Sequence, residues 1–190
     1  MLKSKFGIVS LSLVAAAGLI LAFGSAAMGD PDNGSIKKIA EMIKKGDTAG
    51  AKKAAAAYAA KNSDVDDLMT AFKSAKKKGL GVTGTDNGIE QLLVKIGRDA
   101  PTAATVEKLA KAYEEMGYDI AAVGMITEAL EPTKDNGKKT KKAWVEASAG
   151  MIEAGIKIAE AGKAKSAADI KTQASKINNN CGACHNIFRN

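Results

Sequence analysis

The sequence predicts an all-α protein built as a helical bundle. Three separate runs place apolar or small residues at alternating steps of three and four, the spacing of one helix face. No stretch sustains the apolar–polar alternation of a strand. The three prolines, Pro31, Pro101 and Pro132, fall between the periodic segments, where helices tolerate them.

The first segment is of another kind. Lys3 and Lys5 precede an uncharged run from Phe6 to Met28, which exits through the small residues Gly24, Ser25, Ala26 and Ala27. A basic start, an apolar middle and a small-residue exit make residues 1–27 an expected secretory signal, cleaved after Ala27. The competing expectation is an uncleaved membrane anchor, because Phe6 to Phe23 approaches spanning length. Either way the bulk of the chain is expected outside the cytoplasm, in a periplasm or its equivalent.

Residues 28–100 are expected to form an N-terminal helical segment that contributes the first bundle helix. Ser35 is placed to cap a helix with Ile36, Ile39, Ala40 and Ile43 on one face. Gly46 ends that helix, and Asp47 caps a second from Thr48 to Lys61. Asn62-Ser63-Asp64 breaks the second. A short helix then turns Val65, Leu68, Met69 and Phe72 inward. The glycine-rich stretch from Lys76 to Gly88 lacks the Gly-Lys-Ser/Thr ending and the preceding strand of a phosphate cradle, and is expected to be a flexible connector. Ile89 to Gly97 fits one more short helix.

Residues 101–190 carry the clearest pattern. From Thr102 to Glu131, Val106, Leu109, Tyr113, Met116, Ile120, Val123, Thr127 and Leu130 form a bundle seam. Pro132 stops it, and Lys134 to Lys142 is a basic loop. The next helix offers Trp144, Ser148, Met151, Gly155, Ile158 and Gly162, with a second row of Val145, Ile152, Ile156 and Ala159. Ser166 caps the last helix, with Asp169 three residues on as a capping-box variant. Ile170, Ala174, Ile177, Cys181, Cys184 and Phe188 continue the spacing, so the cysteines are expected to point into the bundle.

Composition narrows the chemistry. The 190 residues are 46% hydrophobic, 26% charged and 4% aromatic, which fits one domain with an appendage and excludes a disordered chain. One histidine excludes a Cys2His2 finger, and two cysteines exclude a disulfide-dense scaffold. A core of Ala, Leu and Ile buries modest area per residue, which leaves room for another group within it.

Both cysteines and the histidine lie in Cys181-Gly182-Ala183-Cys184-His185. Four chemistries use such a motif. In a c-type haem protein the thiols add to the haem vinyl groups and the histidine ligates iron. A redox dithiol needs only the cysteines and usually begins a helix in a βαβ setting, whereas this motif ends a helix in an all-helical chain. A zinc site lacks a fourth Cys or His. A disulfide across so few residues closes a tiny loop and stabilises little. Export, a bundle and no other Cys or His favour one covalently attached haem c.

Cys181-Gly182-Ala183-Cys184-His185-Asn186-Ile187-Phe188-Arg189, with Trp144 opening the preceding helix, resembles the class II c-type cytochromes: the cytochrome c-prime group and its six-coordinate, low-spin relatives. The likeness covers about Thr102 to Asn190. It implies a four-helix-bundle cytochrome core, here with an N-terminal helical extension. The sequence shows no substrate pocket with paired acid–base groups, so no enzyme is expected. Cys181 and Cys184 are then the thioether anchors, His185 the proximal iron ligand, and Arg189 a charge near the proximal face. Arg189 follows His185 by four residues, which would put both on one helix face. It is a candidate propionate contact, or an exposed cation that favours the helix dipole.

The sixth iron position is the open choice. Met42 and Met69 lie near helix starts, and Met69 is the preferred candidate, whereas Met116, Met125 and Met151 suit core packing. A methionine ligand implies a low-spin one-electron carrier. An open position implies a five-coordinate c-prime-type protein that binds NO or CO. A third class is a non-haem helical interaction or redox-dithiol protein. Removing residues 1–27, with two lysines and no acid, lowers the formal charge from +7 to +5. Dispersed lysines suit docking with an acidic redox protein or a plain solvated surface. A homodimer is compatible with this pattern, and membrane attachment would need an uncleaved signal. Export and the lack of aromatic–basic clustering argue against a nucleic-acid partner.

Overall fold

The computed structural model describes residues 31–132 and 134–189, so the expected signal segment 1–27 and its cleavage site lie outside the described residues. The described chain is all-α. Its helices are α1 (Asn33–Lys44), α2 (Thr48–Ala59), α3 (Val65–Met69), α4 (Ile89–Arg98), α5 (Ala103–Ala129), α6 (Lys141–Lys163) and α7 (Ala167–Phe188). Two 3-10 turns, Thr70–Phe72 and Ala75–Lys77, lie between α3 and α4. No helix among the described residues is long and apolar enough to cross a membrane.

Side-chain caps set the helix starts. The Thr102 and Thr140 hydroxyls accept the amides of Thr105 and Ala143, and Asp47 accepts that of Gly50. Ser166 accepts the Asp169 amide while its hydroxyl donates to the Asp169 carboxylate at 2.6 Å, the expected pairing. The first helix departs from expectation. Its N-cap is Asp32, whose carboxylate accepts both the amide and the hydroxyl of Ser35, so Ser35 lies within the first turn. α2 also stops earlier than expected, because the amides of Lys61 and Asn62 both turn back to the Tyr58 carbonyl.

α5 and α6 form the centre of the molecule and run antiparallel. A Cβ added at Gly117 would lie 2.4 Å from the Ala159 nitrogen, and one at Gly155 would lie 2.8 Å from that of Ala121. The two backbones therefore meet directly, and only glycine fits at the crossing. The α5 seam is buried from Val106 to Thr127, save half-buried Leu109. Its opposite side is buried too: every residue from Met116 to Thr127 is inside. The antiparallel α1–α2 hairpin covers that second side with Ile36, Ile39, Ala51, Ala55 and Tyr58.

α7 packs antiparallel to α6, and α4 packs antiparallel to α7. One apolar core runs from Ile36 through Leu92, Val123 and Ile158 to Ile177, so segments 28–100 and 101–190 share it. The glycine-rich stretch is not the flexible connector expected. Leu80 and Gly81 donate to the carbonyls of Ala71 and Lys73, Val82 donates to that of Asn87, and Val82 is buried. Glycine lets this loop press onto the preceding turn: a Cβ at Gly79 would lie 2.1 Å from the Lys73 carbonyl oxygen.

Candidate functional site

The motif occupies the last two turns of α7. At about 100° per residue, Cys184 lies about 60° to one side of Cys181 and His185 about 40° to the other. The three side chains thus share one face. That face changes character along the helix. Ile170, Ala174 and Ile177 are fully buried, whereas Cys181, Cys184 and Phe188 are half-buried and His185 is exposed. Cys181 packs against the core, in line with the stripe, but neither cysteine is fully covered.

Two helices shape this end. Trp144, near the start of α6, donates its indole N–H to the Thr127 carbonyl at 2.6 Å, and its ring meets Phe188 edge-to-face at 4.8 Å. This contact ties the final turn of α7 to α6 and to the end of α5. On the other side α4 runs down α7 from Glu90, whose carboxylate faces Cys181 and pairs with Lys73 at 2.9 Å. Burial first, then the neighbouring Cys184 and Glu90, pushes the Cys181 thiol up to about 11; burial alone pushes Cys184 up. Both are free thiols. A dithiol catalyst needs the opposite environment, a helix N-terminus or a nearby cation that favours the thiolate.

Among the described residues no three His, Cys, Asp or Glu side chains converge where a single ion would sit. Instead, two sulfurs and one imidazole are spread along a half-open apolar face. A macrocycle attached at its edge by two thioethers, with iron at its centre, needs that spread. The residues fit haem c.

Arg189 does not extend the helix. α7 ends at Phe188, and Arg189 is its C-cap in an extended conformation, its amide donating to the His185 carbonyl at 3.0 Å. Its side chain is exposed, and its amide makes the last four-residue bond of the helix. Met69 ends α3 and is half-buried against the core. The turn after it abuts Gly88, which caps the start of α4, but α3 shares no extended face with α7. Met42 lies on α1 against α5, a separate interface, and Met116, Met125 and Met151 are buried in the core as expected.

Sequence reasoning missed Asn178. Its side-chain amide donates to the Leu93 carbonyl of α4 at 3.0 Å, one turn before Cys181. Its one signal is a poor helix former retained deep in a 22-residue helix. Comparison of the chain with protein-family models, curated proteins and solved structures finds no match.

Proposed function

We propose that this chain is an exported monohaem c-type cytochrome that carries out one-electron transfer. The observation supporting it is the placement of Cys181, Cys184 and His185 on one half-open face at the end of α7. Cys181 and Cys184 would hold the haem through thioether bonds to their sulfurs, and His185 would bind its iron through an imidazole nitrogen. Haem, when bound, supplies the exchange between ferric and ferrous iron. The chain holds the two sulfurs one helical turn apart with half-buried Phe188 one turn further on, and its exposed His185 end would face an acidic redox protein.

Met69 is the proposed sixth ligand. The second reading is a five-coordinate haem protein that binds NO or CO. It is favoured by the lack of an extended α3–α7 face among the described residues. One experiment separates these. The chain is expressed in a host that matures c-type haem, stained for covalent haem in a denaturing gel, and its reduced spectrum is recorded. Cys181→Ser and Cys184→Ser together should abolish staining; staining that survives both would rule out thioether attachment. Sharp α and β bands lost in Met69→Ala support the carrier with its methionine ligand. Broad bands that shift with CO support the gas binder.

A further inference from the structure

The turn of α7 immediately before Cys181 is gripped from both sides. Asn178 donates to the Leu93 carbonyl of α4 at 3.0 Å. Space for that amide exists because position 97 is glycine: a Cβ there would lie 2.6 Å from Asn178 Nδ2. Asn180 has a matching arrangement on α6, where a Cβ at Gly150 would lie 2.6 Å from its amide nitrogen. Each asparagine thus sits over a glycine of a neighbouring helix. Turning α7 about its own axis would therefore break the Asn178 bond or drive one of these amides toward a neighbouring backbone.

His185 follows Asn178 by seven residues, about 20° short of two full turns, so the two share a stripe. α4 follows that stripe from Gly97, beside Asn178, to Glu90, beside Cys181, and its helix begins at Ile89. The helix therefore starts before its line reaches His185, whose side chain is exposed. The bond that fixes Asn178 on α4 thus bears on the direction of the whole stripe, His185 included. We infer that Asn178 is a positioning residue for the axial ligand His185, with Gly97 as the notch that admits it. This inference rests on the haem assignment above.

The test compares Asn178→Asp and Gly97→Ala with Asn179→Ala, a substitution at the exposed neighbour, all matured with haem. Asn178→Asp keeps the shape but sets a carboxylate against the Leu93 carbonyl. Gly97→Ala pushes the amide away. Both should retain one covalent haem per chain yet change the ligand-field bands of the iron and shift its midpoint potential, while Asn179→Ala matches the parent. In the haem-free chain both should speed amide exchange across residues 89–98 by tenfold or more. Should either variant fail to fold, Asn178→Ser removes the bond without adding charge and should shift the same spectrum to a smaller extent. Haem-loaded variants with the parent's spectrum and potential overturn the positioning role. A parent chain that takes up no haem under maturation conditions instead overturns the haem assignment, and this inference with it.

Discussion

Asp119 is the acid that the fold buries among the described residues. It lies inside α5 with 2% of its surface exposed, and its carboxylate meets Lys37 of α1 at 2.6 Å. Burial outweighs the lysine and pushes its pKa up to about 6, from 3.8. Between those two pH values the folded chain holds a proton that the unfolded chain has released. The stability linked to this proton is therefore complete below about pH 4 and declines as pH rises to about 6. At about 1.4 kcal/mol per pKa unit the decline amounts to about 2–3 kcal/mol. Asp119→Asn keeps an acceptor for Lys37 and removes the titration. Melting curves of parent and variant should therefore diverge between pH 4 and pH 6, with the variant the more stable at pH 7; parallel curves would contradict the assignment. Nothing in the sequence marked Asp119. An acid flanked by Tyr118 and Ile120 reads as a solvent-facing position until a second layer of helices is known to cover it.

The elements most legible in the sequence are those with one buried face. In α6 the row from Trp144 to Gly162 is buried as its spacing requires, and half-buried Val145, Ile152 and Ile156 mark where cover ends. α7 likewise obeys its period up to Ile177. α5 was half legible. Its seam of Val106, Tyr113, Met116, Ile120 and Val123 shows in the sequence. The rest of its buried circumference carries Ala121 and Gly124 against α6 and Asp119 against α1, small or polar residues that give no apolar signal. Their smallness is what allows close approach, and it yields a prediction at this scale. A side chain at Gly117 must displace the α6 backbone at Gly155 and Ala159. Gly117→Leu should cost about 1–3 kcal/mol by overpacking, measured as a lower denaturant midpoint. Gly137, whose Cβ would meet nothing within 4 Å but whose φ is +57°, should lose less on substitution by Asn, which tolerates that conformation. The candidate site followed the same division: Cys181, Cys184 and His185 were legible because they are adjacent in sequence, whereas Asn178 acts across 85 residues to reach Leu93.

At the scale of the whole molecule, the α1–α2 hairpin forms part of the core. Ile36, Ile39 and Tyr58 are almost wholly buried and close the outer side of α5. Losing the burial of those three side chains alone would remove about 5 kcal/mol or more, comparable to the total stability of a small domain. A chain lacking residues 31–63 should therefore lose its cooperative thermal transition, as followed by circular dichroism; a sharp melt would show that α4–α7 stand alone. The end of α7 is built with the reverse economy. Its apolar stripe runs from Ile170, which has no exposed surface, to Cys181, Cys184 and Phe188, which are half-covered. Under the proposed function, a redox centre seated there would lie within a few bonds of the molecular boundary. A partner approaching that tip could exchange an electron through thioether, porphyrin edge or imidazole directly. No internal relay of Trp and Tyr side chains would be needed, and a chain with 4% aromatic residues could still be a fast carrier.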